Sequence, residues 1–174
     1  MAEVGTLPEC MLKNSREMAD QPAMRSKDLG IWKTYTWSDY ADEVQAFALG
    51  LASLGFGRED KLGIIGNNLP RLYWAQVAAQ SLGGMAVPVY QDAIAKELAF
   101  VLRHSESKVI VAEDQEQVDK ILSIKDELPN LQLLIYSDPR GMTDYEEDFL
   151  KSYATVQEAG RAYGSDNPNY FDLE

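Results

Sequence analysis

From Lys61 to Tyr136, four short apolar runs alternate with three helical stripes, and this alternation restricts the fold more than any other feature. The runs are Lys61–Gly66, Met85–Tyr90, Lys108–Ala112 and Leu131–Tyr136. Between them, apolar residues recur three and four positions apart, as one face of a helix requires. The first stripe, within residues 69–82, carries Leu72, Tyr73, Trp74, Val77, Ala78 and Ala79 and shows no polar face, so this helix is expected to be the most buried. The second holds Ile94, Leu98, Val101 and Leu102; the third holds Val118, Ile121, Leu122 and Leu128. Strands that alternate with helices through short connections form a parallel sheet with right-handed crossovers and helices on its faces. The expected class is therefore α/β.

The punctuation agrees with that reading. Gly83-Gly84 stops the first of these helices, because glycine accepts the left-handed conformation of a helix terminus. Pro88 lacks an N–H and belongs at a strand end or a sheet edge. Asp114 with Gln117, and Thr36 with Asp39, have the spacing of capping boxes. Thr36 opens a helix with the stripe Tyr40, Val44, Phe47, Ala48, Leu51 and Leu54, closed by Gly55 and Gly57. Upstream, Gly30–Trp37 reads as one arm of a hairpin, and Thr6-Leu7-Pro8-Glu9 outlines the start of a helix running to Met18. Residues 137–141 form a turn, and a last helix is expected from Thr155 to near Gly164.

Charge removes some functions. A formal net charge of −12 repels phosphate backbones, which argues against nucleic acid, and gives no help on anionic lipid. Contact with a membrane would need an apolar surface instead. The single cysteine, Cys10, can build neither a disulfide framework nor a cysteine zinc site, and it suits a reducing cytoplasm. Residues 1–15 lack the pattern of a signal peptide, and no apolar stretch is long enough to cross a bilayer. The length of 174 residues suits one domain with a real core.

Open α/β sheets bind ligands beyond the carboxyl ends of their strands. Two polar loops follow strands there: Asn67-Asn68, and Tyr90-Gln91-Asp92. These five residues are candidates for lining a cleft. The plainer reading makes Asn68 a helix cap and has Asp92 help start the next helix. Gly63 and Gly66 make no dinucleotide fingerprint, and the chain has no Gly-Lys-Ser/Thr phosphate loop. His104, the only histidine, falls near a helix end, where its charged form suits the dipole. Trp32, Trp37 and Trp74 read as hairpin and core packing. The acidic group Asp144, Glu146, Glu147 and Asp148 lacks the spacing and glycine of a calcium loop. These residues alone supply no catalytic, cofactor or metal constellation.

The order of motifs says more. Residues 30–37 (Gly-Ile-Trp-Lys-Thr-Tyr-Thr-Trp) precede a helix ending Gly-Leu-Ala-Ser-Leu-Gly-Phe-Gly at 50–57. Asp60-Lys61-Leu62-Gly63-Ile64-Ile65-Gly66-Asn67-Asn68 follows, then Trp74-Ala75-Gln76, Ala86-Val87-Pro88-Val89-Tyr90 and His104-Ser105-Glu106. In order and spacing these resemble the N-terminal part of AMP-forming acyl-CoA synthetases of the adenylating superfamily. Residues 109–120 and Tyr136-Ser137-Asp138-Pro139-Arg140-Gly141 look like its long-chain branch.

The resemblance implies that residues 1–174 are part of the large N-terminal domain, ending before the phosphate loop. Such enzymes activate a fatty acid with ATP to an acyl-adenylate and then pass the acyl group to coenzyme A, with magnesium required. The motifs that do this in the family, a Ser/Thr/Gly-rich loop ending in Pro-Lys-Gly, later nucleotide-binding motifs and a C-terminal lysine, do not occur here. No catalytic residue is carried over, and this chain alone is expected to be inactive. Its expected partner is the remainder of a synthetase chain, with fatty acid and coenzyme A as ligands of the whole enzyme. A freed fragment is expected to self-associate through apolar surface. The cytoplasm is the expected location, with a peripheral place at a membrane left open. The alternative is a stand-alone, non-catalytic module for an acyl chain or nucleotide, or a regulatory partner of a full-length synthetase.

Overall fold

The computed structural model describes residues 5–173. Helix α1 (Leu7–Glu17) leads into a hairpin, β1 (Pro22–Asp28) and β2 (Ile31–Thr36), and helix α2 (Trp37–Ser53) follows directly. The alternating part comprises β3 (Lys61–Ile65), α3 (Pro70–Ser81), β4 (Met85–Val89), α4 (Ala95–His104), β5 (Val109–Ala112), α5 (Gln115–Ser123) and β6 (Leu133–Tyr136). A short strand β7 (Leu150–Ser152), helix α6 (Tyr153–Asp166) and one turn of helix, α7 (Tyr170–Leu173), complete it.

Strands β3 to β7 form one parallel sheet in the order β4-β3-β5-β6-β7. Strand β4 is therefore an edge. Pro88 sits there opposite Ile64, where its missing N–H removes nothing from a second neighbour. The strand residues alternate between two cores. Leu62, Val109, Val111, Leu133 and Ile135 pack with α2, α3 and α6 on one face. Ile65, Ile110, Ala112 and Leu134 pack with α4 and α5 on the other. Each large aliphatic side chain so buried contributes roughly 1.5–3 kcal/mol.

Two caps formed as their spacing predicts. The hydroxyls of Thr6 and Thr36 accept from the N–H groups of Glu9 and Asp39, whose carboxylates return to the threonine N–H groups. Asp114 also caps α5 by accepting from the Gln117 N–H, but the Gln117 side chain accepts from Lys120 instead of closing a box. Helix α6 starts earlier than Thr155: Ser152 is its cap and accepts from the Thr155 N–H. Helices α2 and α6 cross in close contact because Gly50 and Gly160 meet. A Cβ on Gly160 would run into the Ala46 carbonyl, and one on Gly50 into the Val156 carbonyl.

Three sequence expectations need correction. Helix α3 has a polar edge after all. Val77 and Ala78 are buried, but Tyr73 is 43% exposed. Asn68 does not cap α3; the cap position is Leu69, whose side chain makes no capping bond. Asp92 does not start α4 either, since Ile94 holds that position, exposed and without a side-chain cap. Pro70 opens α3, and a backbone turn in which the Ala93 N–H donates to the Tyr90 carbonyl precedes α4, so the two polar side chains serve no cap.

Candidate functional site

The carboxyl ends of β3 and β4 open onto a hollow because their connections leave in opposite directions. Helix α3 returns on one face of the sheet and α4 on the other. Such a divergence between neighbouring parallel strands leaves a crevice that no helix fills. A cavity of about 410 Å3 occupies it. Its wall includes all five residues singled out in the two loops: Asn67, Asn68, Tyr90, Gln91 and Asp92.

The first loop is held from below. Gly66 has φ +150°, and a Cβ there would stand 2.5 Å from the Glu113 Cβ and 2.8 Å from Leu72. The chain can therefore turn tightly against the end of β5. The Asn67 N–H donates to the Glu113 carboxylate, and the Asn67 amide nitrogen reaches it at 3.4 Å. The second loop is tied across the other helix layer. The Lys120 ammonium donates to the Gln91 carbonyl at 2.8 Å, and Lys120 also pairs with Glu116 at 2.9 Å. Both backbones are thus fixed. The Asn68 and Asp92 side chains, by contrast, have no hydrogen-bond partner among the described residues.

Two further side chains with polar groups in the lining were not expected. Tyr73 and Gln76, three apart on α3, present a phenol and an amide to the same cavity. The available signal was Gln76, one of the few polar residues in a run read as having no polar face. Tyr90 is 84% exposed and stands at the mouth. The wall is mostly amides, phenols and aliphatic carbon, with one carboxylate and no lysine or arginine. This composition suits a neutral or apolar portion of a ligand, with amides to orient it.

Neighbouring strand ends carry charge. Arg71 donates to the Ser137 carbonyl at 2.6 Å, and its guanidinium lies 5.5 Å from the centre of the Tyr153 ring. Asp138 lies well placed for Arg140, whose hydrogen bond holds the carboxyl below its usual range. Tyr153 is fully buried and stacked on Phe47 at 4.0 Å, and burial pushes its phenol well above the ordinary value. A second hollow, about 600 Å3, lies between α2 and the end of α6. Asp39, Asp42 and Glu43 line it beside Arg161. It shares no lining residue with the first, and its three carboxylates would repel carboxylate or phosphate ligands.

His104 lies in the last turn of α4, near the helix end where the sequence puts it, and its ring stacks on Phe100. Cys10 is exposed and unbonded. No cluster of three or more His, Cys, Asp or Glu with metal-ligand geometry occurs among the described residues. No helix among them is long and apolar enough to cross a membrane.

The family of AMP-binding enzymes matches residues 12–169. The chain belongs to that family. Among AMP-binding relatives, a long-chain-fatty-acid–CoA ligase of Xenopus laevis, ACSBG2, is 31% identical over 76% of this chain and 18% of its own length. The long-chain-fatty-acid–CoA ligase heimdall of Drosophila melanogaster is 30% identical over 88% of this chain and 23% of its own. The chain thus spans only about a fifth of these curated relatives. An uncharacterized protein of Mycobacterium tuberculosis is 34% identical over 59% of this chain and 58% of its own, so the two are of nearly equal length.

Solved structures repeat the fold at lower identity. An anthranilate CoA ligase in complex with anthranoyl-AMP superposes with a TM-score of 0.76 at 18% identity, over 87% of this chain and 27% of that one. The acetoacetyl-CoA synthetase of Streptomyces lividans gives 0.73 at 20% identity, over 86% and 24%. The α/β fold with a parallel five-stranded sheet is therefore that of AMP-binding enzymes of this kind.

Proposed function

We propose that this chain is the N-terminal portion of a long-chain fatty acid–CoA ligase. The whole enzyme would join a fatty acid to AMP at the expense of ATP, release pyrophosphate, and pass the acyl group to coenzyme A. The observation that carries this reading is the AMP-binding match over residues 12–169, together with relatives named as long-chain ligases at 30–31% identity. Residues 1–174 are then a partial adenylating domain whose principal partner is the remainder of the same chain.

In this reading the cavity at the ends of β3 and β4 is one wall of a ligand cleft. Asn67, Asn68, Tyr90, Gln91 and Asp92 form its floor and rim, and later segments of the enzyme close it. The wall does not fit magnesium or a triphosphate. It offers one carboxylate and no cationic side chain, whereas charge developing at a phosphate calls for preorganised donors and cations. No phosphoryl step is assigned to these residues. Their suitable role is to hold an uncharged part of a ligand while the chemistry proceeds on groups from downstream sequence. The cytoplasm remains the proposed location.

The test lies in the DNA immediately downstream. A continuing frame that encodes a Ser/Thr/Gly-rich loop ending in Pro-Lys-Gly is expected. A stop codon with no such frame would overturn the proposal. A second reading has one observation in its favour, the Mycobacterium tuberculosis relative of similar length. It makes the chain a stand-alone acyl- or nucleotide-binding module or a regulatory partner, and the stop codon would support it.

A further inference from the structure

The outer half of the β1–β2 hairpin stands clear of the domain. Leu29, Ile31 and Trp32 at its turn are 89%, 70% and 65% exposed. The inner half is anchored: Tyr35 meets the buried Trp74 edge to face at 5.1 Å. A core explanation for the tip is therefore absent among the described residues. Three bulky apolar groups within the four residues 29–32 are costly to leave in water and are uncommon on a monomer surface. Ladder register then sets what surrounds them. Lys27 lies opposite Trp32, with its ammonium 5.9 Å from the ring centre, and Arg25 lies opposite Thr34. Both are exposed on the outward face. Lys33 pairs with Asp28 at 2.7 Å on the other face.

Residues 25–34 thus hold three cations and one carboxylate, within a chain whose net charge is −12. The apolar tip carries a basic collar where the rest of the molecule is acidic. We propose that this hairpin is a membrane-docking tip for an anionic lipid surface. Leu29, Ile31 and Trp32 enter the boundary between headgroups and acyl chains, where an indole is favoured. Arg25 and Lys27 remain at the level of the phosphates, while Lys33 stays paired with Asp28. The acidic bulk faces away, so the collar fixes orientation as well as affinity. The inference rests on the hairpin and not on the ligase reading; a stand-alone module would dock in the same way.

The occupant is committed to lipid over a second copy of the chain by charge. Two tips brought together would face cation to cation, whereas an anionic bilayer satisfies both the collar and the apolar turn. The experiment uses the 174-residue chain and sedimentation with sucrose-loaded vesicles. One set contains phosphatidylcholine alone and the other adds one third phosphatidylglycerol. Binding is expected to the anionic vesicles, at least tenfold tighter than to the neutral ones, and to weaken as salt is raised. The variant L29S/I31S/W32S is expected to lose at least tenfold in affinity while keeping its circular dichroism and melting temperature, because none of the three is buried. R25Q/K27Q is expected to lose the preference for anionic vesicles and most of the salt dependence. Absence of wild-type binding, or unchanged binding by the apolar variant, would overturn the proposal. So would a solution dimer that the apolar variant dissolves without any vesicle binding by the wild type; the tip would then be a contact between copies.

Discussion

At the scale of single residues, the cavity loops show which side chains the fold commits and which it leaves free. Gly66 is committed, since any Cβ at φ +150° collides with Glu113 and Leu72. Gly66→Ala is expected to cost about 1–3 kcal/mol, seen as a lower urea midpoint with an unchanged slope. Tyr153 offers a test in pH. Its phenol is buried with no hydrogen-bond partner among the described residues, and its pKa is raised well above 10.0 by burial. A raised pKa means that the folded state holds this proton more tightly than the unfolded chain. The associated stability is complete below the ordinary phenol value and is lost as pH rises beyond it. Wild-type stability should therefore fall above about pH 10. Tyr153→Phe should differ from wild type by less than about 1 kcal/mol at pH 7 and should flatten that alkaline decline. Equal alkaline loss in both proteins would contradict the assignment. All five loop residues were legible as cleft candidates from their place after strands. Tyr73 and Gln76 were not, because an apolar stripe says nothing of where the sheet ends.

Among elements, legibility followed local chemistry. Thr6 and Thr36 announced their helices because a capping box is closed within four residues. Strands β3, β5 and β6 were readable as apolar runs because both faces are covered, and β4 was readable from its apolar composition although it is a partly exposed edge. Strands β1 and β7 escaped notice for the opposite reason: β1 is mostly exposed with a register shift between Pro22 and Met24, and β7 has three half-buried residues. The Asn68 cap failed because local spacing alone cannot tell a capping residue from one turned toward a cavity. Contact between α2 and α6 was equally hidden, since it depends on two glycines far apart in sequence. Gly160→Val should force those helices apart and lower stability by roughly 2–3 kcal/mol or more. Gly57→Ala, where a Cβ meets nothing within 4 Å, should stay within about 0.5 kcal/mol. Chemical denaturation of both variants separates tight packing from a general intolerance of glycine replacement.

For the molecule as a whole, the sheet presents an edge at β4 and an open cavity beside it, in a chain that spans about a fifth of its curated ligase relatives. On the proposed reading, these residues build one wall and the scaffold beneath it, and the groups that hold ATP and magnesium would come from downstream. The most direct measurement is fatty-acid-dependent exchange of labelled pyrophosphate into ATP, made on this chain and on the same chain joined to its encoded downstream sequence. The account predicts no exchange by the 174-residue chain with any acid, and robust exchange by the extended protein with a long-chain acid. Turnover by the short chain alone, or silence from a folded extended protein, would contradict it.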